Sequence, residues 1–275
     1  MRVVILASSL YSETACAMAL RLADLGFVPR GALALRTLDP QTLARKLGQW
    51  GVRDFARYAR AKLIPRRDGE PSRIHNPYLE PYLKHDGRIV RSLRDVAKYH
   101  RFPAAVCKDQ NAPASTTRLR EWSPDVIIFT GGNILRKEVL AVPRLGVLNV
   151  HLGLLPEVRG MSSPEWSLLN RIPPGVTIHY MDAGIDTGPI LRRAEFHDAE
   201  RCESLGELRA RLIAFGIEKT AEVVAALDQG TLLAKSQSDQ IQHRQFFVMH
   251  EWLQARAAQQ LAAIHFAASA GRAAR

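Results

Sequence analysis

The chain has 275 residues, 47% of them hydrophobic, enough to bury a sizeable core as one large domain or as a domain with an appendage. A formal net charge of +11 admits phosphate-bearing or RNA partners through long-range steering. No run of about eighteen apolar residues occurs, which excludes a membrane-spanning helix, and Cys16, Cys107 and Cys202 lie too far apart for a Cys-x-x-Cys metal or redox pair, so a cytoplasmic protein with reduced thiols and no metal is expected.

Residues 2–7 form an apolar strand directly, without the longer apolar stretch and cleavage region of a signal peptide. Ser12 can cap a helix running to Leu25, and Ala32 to Leu35 read as the next strand, so a strand, a helix and a neighbouring strand imply a parallel sheet. Residues 37–84 read as an insertion. Its amphipathic helix would carry Leu43, Leu47, Phe55 and Leu63 inward, and loops follow over 65–71 and 76–81. The arginines and lysines of 45–73 fit a solvated face better than a nucleic-acid surface, because no base-stacking aromatic pattern accompanies them. Regular order resumes with a helix over 93–99, a strand over 104–107, a helix over 114–122 and an apolar strand over 125–130. Residues 145–150 end another buried strand. Leu205, Leu208, Leu212 and Phe215 mark one face of a helix that Gly230 ends. A last helix over 249–268 packs on the body or on a second subunit, which leaves a homodimer open, and 270–275 are expected to fray. The expected fold class is α/β: a Rossmann-like, doubly wound, mostly parallel sheet with helices on both faces. Residues 1–200 would form the catalytic domain and 201–275 a helical C-terminal extension.

Asn149 and His151 stand two apart at the end of the strand that closes at residue 150, so both tips point to one side at the sheet's carboxyl edge. Thirty-five positions after His151 comes Asp186, flanked by Gly184 and Gly188 in a tight loop. Singly, each has a structural explanation: a satisfied polar residue at a strand end, or a turn former. Together an amide donor, an imidazole and a carboxylate suit acyl transfer to an amine. The donors meet the oxyanion where charge develops, while the carboxylate sets the imidazole tautomer, raises its pKa and relays protons.

Asn149-x-His151-x-Gly153-x-Leu155-Pro156-x-x-Arg159-Gly160 resembles a signature of enzymes that use 10-formyltetrahydrofolate, the formyltransferase family. The segment from Gly175 through His179 and Asp186 to Ile190 resembles the family's second signature, and Pro124 to Leu135 is similar to its strand and turn beside the pteridine pocket. The similarity covers roughly residues 85 to 195, with a weaker echo in the opening strand. The resemblance implies that Asn149, His151 and Asp186 are catalytic and that Ile134, Leu135 and the backbone of Met181, Asp182, Ala183, Gly184 and Ile185 hold the folate. His179 would be either a supporting residue or a satisfied core histidine.

Ribonucleotide-binding members of the family carry a glycine-rich loop after the first strand. This chain has Ala7-Ser8-Ser9-Leu10, which argues against glycinamide ribonucleotide, although Ser8, Ser9, Arg159 and Gly160 could line the acceptor end. The residues after the Asp186 loop read as helical, unlike the β-barrel of methionyl-tRNA formyltransferases. The expectation is therefore formyl transfer from 10-formyltetrahydrofolate to a primary amine of a small metabolite, such as a nucleotide-linked amino sugar. A formyltetrahydrofolate hydrolase, a methionyl-tRNA formyltransferase-like enzyme and a non-catalytic folate- or RNA-binding protein stand as alternatives.

Overall fold

The computed structural model describes residues 1–36, 76–237 and 244–273, with side chains to 266. The basic helix and the 65–71 loop expected in the insertion lie outside these residues. Seven strands, β1 (Val3–Ala7), β2 (Gly31–Leu35), β3 (Ala104–Cys107), β4 (Val126–Thr130), β5 (Gly146–His151), β6 (Gly175–Tyr180) and β7 (Ile190–Glu195), form one sheet in the order β3-β2-β1-β4-β5-β6-β7. Strands β1 to β5 pair in parallel, and β6 runs antiparallel to both its neighbours. The order reverses direction between β1 and β4, so a crevice opens beyond their carboxyl ends, where such sheets take ligands.

Both faces of the sheet are covered, which explains why β1 is apolar at every position. Val3, Ile5 and Ala7 face one core, Val4 and Leu6 the other. The first and larger core is closed by helices α1 (Glu13–Asp24), α2 (Leu93–His100) and α5 (Leu205–Asp228); the second includes Leu119 of α3 (Pro113–Glu121) with Leu135 and Val139. The Ser12 cap is where the sequence put it, and Ser204 supplies another. The Ser12 hydroxyl accepts from Ala15 N at 3.3 Å, and Ser204 accepts from Glu207 N at 3.1 Å. Leu208, Leu212, Ile217 and Val224 of α5 lie in the same core as Val3 and Ile5, so this helix is a layer on the sheet. Its approach to β5 depends on Gly216, where a Cβ would stand 2.6 Å from Val150 Cγ1.

Two local expectations differ. Residues 76–81 were expected as loop, yet Pro77–Leu79 form a 3₁₀ turn that runs into a short helix, Glu80–Leu83. Asn76 Oδ1 accepts from Tyr78 N at 3.0 Å, and Leu79 and Leu83, four apart, are both buried, so a cap and a helical apolar pair override the two prolines. The last helix, α6 (Glu251–Ala273), continues through residues 270–273, which were expected to fray. Ala257 and Leu261 seat α6 on the body, against α4 (Ser163–Leu169) and the 3₁₀ turn His197–Arg201. No helix among the described residues is long and apolar enough to cross a membrane.

Candidate active site

The end of β5 carries the site's first two groups. Asn149 is half-buried and His151 is buried, two apart and on one side of the strand. Next to them on β6, His179 is buried and pairs in register with Asn149. Its Nδ1 lies 2.8 Å from the Tyr180 carbonyl, which can only accept, so Nδ1 carries the proton and Nε2 is left to accept from Asn149 Nδ2 at 3.2 Å. The same logic fixes His151. Its Nε2 donates to the Val158 carbonyl at 2.7 Å, and its Nδ1 faces Asp186 Oδ2 at 3.3 Å.

Asp186 reaches this cluster from the loop between β6 and β7. Its Oδ2 accepts from Gly160 N at 2.8 Å, and its Oδ1 stands 3.4 Å from Asn149 Nδ2 and 3.6 Å from His179 Nε2. The backbone of Asp186 is left-handed, with φ of 53°, a region that Asp tolerates better than most residues but that still costs energy. Gln237 offsets that cost. Its Nε2 donates to the carbonyls of Asp186 at 2.9 Å and Gly188 at 2.8 Å, while Arg159 Nη2 holds its Oε1 at 2.6 Å. Nothing in the sequence pointed to Gln237. It lies 51 residues beyond Asp186, outside both signatures, and only the return of the chain past β7, bridged through Ile190 and Lys235, delivers it.

Gly160 is required on two counts. Its φ of +92° belongs to glycine, and a Cβ would overlap the carbonyl oxygen of Phe246, whose segment pairs with Arg159 and Gly160. Stacking of Phe246 on Trp166, with ring centroids 4.7 Å apart, holds that segment down.

Burial, the largest influence, pushes the His151 pKa below the ordinary imidazole value, although Asp186 and the Val158 carbonyl push it up. The sequence reading expected the carboxylate to win; desolvation of a ring enclosed on all sides is stronger. For Asp186, burial, the largest influence, would raise the pKa, but the polar groups around it, the Gly160 N–H among them, outweigh it and hold the carboxyl below its ordinary value. A neutral His151 with Nε2–H committed to Val158 therefore turns a bare Nδ1 lone pair toward an ionised carboxylate. A proton arriving between them relieves that repulsion, so Nδ1 is the position at which the pair can take up a proton.

The residues expected around this cluster are placed as follows. Leu135 is buried and shares an apolar cluster with Met181, while Ile134 is 88% exposed and Ile185 is exposed nearby in sequence to Asp186. Asp182 Oδ1 accepts from Gly184 N at 3.0 Å and from the Thr187 hydroxyl at 2.6 Å, which folds the loop through Ala183 back on itself. Ser8 is exposed beside Gly131, Ser9 accepts from Tyr11 N, and Arg159 is occupied by Gln237 rather than open toward an acceptor.

The formyl transferase family model matches residues 88–226, half of the chain. The chain belongs to the formyl transferase family. Within that family, the methionyl-tRNA formyltransferase of Geobacter metallireducens is 32% identical over 193 residues, which make up 69% of this chain and 61% of that protein. The chain thus spans less than two thirds of that curated relative's length. Glycinamide ribonucleotide transformylase 1 of Symbiobacterium toebii superposes with a TM-score of 0.56 at 18% identity, covering 86% of this chain and 94% of its own. An N-formyltransferase of Helicobacter canadensis, solved with folinic acid and dTDP-3-aminofucose, gives a TM-score of 0.56 at 13% identity, covering 95% of this chain and 80% of its own. At these identities the likeness is one of fold, and it agrees with the Rossmann-like sheet.

Proposed function

We propose that this member of the formyl transferase family moves a formyl group from 10-formyltetrahydrofolate to a primary amine of a small metabolite, such as a nucleotide-linked amino sugar. The observation that carries the reading is the convergence of Asn149, His151, His179 and Asp186 at the carboxyl end of β5, with a bare imidazole nitrogen beside an ionised carboxylate. The donor's flat ring suits the apolar pair Leu135 and Met181 and the backbone of Asp182 to Ile185. Formyl transfer needs no metal ligand.

His151 Nδ1, backed by Asp186, accepts the proton that the amine loses as its nitrogen bonds to the formyl carbon. Asn149 stabilises the oxyanion through the N–H that makes its long 3.4 Å contact to Asp186, the weaker of the two hydrogen bonds its amide nitrogen donates. When the oxyanion collapses and the bond from the formyl carbon to the donor nitrogen breaks, His151 returns its proton to that nitrogen. His179 orients the Asn149 amide throughout.

The test is absorbance-monitored consumption of 10-formyltetrahydrofolate by the purified protein, alone and with pooled amines. Consumption that requires an amine supports transfer; equal consumption in water alone replaces it with a hydrolase. Asn149→Ala should cost on the order of a hundredfold in turnover, and near-normal turnover would overturn its role. A second reading, formylation of methionyl-tRNA, is favoured by the 32% identical relative and the net charge of +11. It predicts turnover with methionyl-tRNA that collapses with added salt.

A further inference from the structure

A cavity of about 290 Å³ lies between α1, the ends of β4 and β5, and α5. Its walls are Met18, Phe129, Val150, Leu152, Ile213 and Ile217. The polar groups lining it sit at Thr14, Thr130 and Asn149, and the Thr130 hydroxyl is already spent on the Leu6 carbonyl at 2.9 Å. None of the described residues that line it carries a charge. Asn149 thus stands where the polar cluster meets an apolar chamber, and the sheet explains the division. Alternation along β5 sends Asn149 and His151 to the side of Val147, and Val150 to the side of Leu148 and α5.

We propose that this chamber is the acceptor subsite, and that the acceptor is a primary amine carried on an uncharged, apolar body; this rests on the N-formyl transfer reading. The amine nitrogen is placed at Asn149, the described lining residue that the chamber shares with the polar cluster, and the adjoining carbon skeleton lies against Val150, Leu152, Ile213 and Ile217. The volume is about twice that of the ~150 Å³ apolar cavity that accepts benzene, so it suits a branched aliphatic or deoxygenated ring substituent. A polyhydroxylated body would lose its water here and recover few hydrogen bonds, since the described wall residues are mostly apolar. A phosphate would meet no cation among the described lining residues, so a nucleotide-linked acceptor has to keep its phosphates outside the chamber and present a deoxy, methyl-bearing face.

The experiment follows the methyl resonance of Met18 in protein labelled at its methionine methyl groups, assigned with Met18→Leu, during titration with ethylamine, propylamine, butylamine and isoamylamine. Each added methylene should tighten the saturable shift roughly fourfold, following ~0.8 kcal/mol per buried CH₂, while ethanolamine and glucosamine leave the resonance in place. Ile213→Trp, which fills the chamber, should abolish the shift. A resonance that stays fixed to the solubility limit of every alkylamine, or that moves equally with ethanolamine, overturns the proposal in the parent protein, with Met18→Leu needed only for the assignment. This readout does not depend on turnover. Formyl consumption that never requires an amine would sink the transfer reading with the methyl shifts intact, whereas transfer to an acceptor that isoamylamine does not compete with would sink the subsite and keep the transfer.

Discussion

His151 is where burial and charge oppose each other, and pH resolves which one wins. The neutral ring is the competent base, and its pKa lies below the ordinary 6.5 because desolvation outweighs Asp186. Activity should therefore persist on the acid side of 6.5 and fall only as pH drops through the lowered value. A profile of kcat/KM against pH with its acid limb at or above 6.5 would contradict the assignment. The linked stability has the same sign: the unfolded chain binds this proton more readily, so stability rises with pH between the folded and unfolded values. Gly160 makes the second residue-scale case. Gly160→Ala must adopt φ near +92° and push the Phe246 carbonyl away. A loss of about 1–3 kcal/mol is expected from the backbone alone, together with loss of turnover, because the Gly160 N–H anchors Asp186. Urea unfolding read beside turnover checks both; a variant as stable and active as the parent would show that the overlap is relieved cheaply.

At the scale of elements, α5 decides how closely a helix may approach the end of β5. Gly216→Leu would drive side-chain atoms into Val150, so destabilisation of about 1–3 kcal/mol is expected from overpacking, with weakened acceptor binding because Val150 lines the chamber. Unchanged acceptor KM in a folded variant would separate α5 from the chamber. The Asn76–Leu83 segment is tied to the same helix by the Tyr78 hydroxyl, which donates to Glu207 Oε1 at 2.6 Å, and by Arg211, whose guanidinium stands 4.5 Å from the Tyr78 ring centre. That hydrogen bond, then the Glu203 N–H, holds the Glu207 carboxyl at about 2 against its usual 4.5. Its contribution is present above 4.5 and lost as pH falls toward 2. Tyr78→Phe should shrink that acid-dependent loss, visible as a smaller drop in urea midpoint across the window; an identical drop would assign it to other groups.

Over the whole molecule, the segment after α5 is what completes the site. It supplies Gln237 to the Asp186 loop, pairs Gln245 and Phe246 with Arg159 and Gly160, and seats α6 on α4. A chain ending at Gly230 keeps every strand of the sheet but loses these supports. It is expected to lose turnover by a hundredfold or more and to unfold at lower urea. Retained turnover would show that the Asp186 loop holds its left-handed turn unaided. Gln237→Ala asks the same question at one side chain. A fall in kcat with the fold intact marks a positioning residue, and an unchanged kcat leaves it a structural brace.

How much of this was legible in the sequence follows from the range of the forces involved. Strands and caps are local: an unbroken apolar run such as Val3–Ala7 is stable only when buried on both faces, and Ser12 announces a helix start through a hydrogen bond that spans three residues. The i, i+2 spacing of Asn149 and His151 likewise determined that they share a side of β5, and the motif around Asp186 placed a carboxylate in a tight turn. What the tertiary structure alone decided is everything set by neighbours distant in the chain. Enclosure, not the adjacent charge, lowers the His151 pKa; the Val158 carbonyl chooses its tautomer; Gln237 arrives from 51 residues beyond Asp186; and the apolar chamber exists because α1 and α5 converge on the ends of β4 and β5. Desolvation, hydrogen-bond partners and cavities depend on which surfaces meet, and periodicity along a chain carries no record of that meeting.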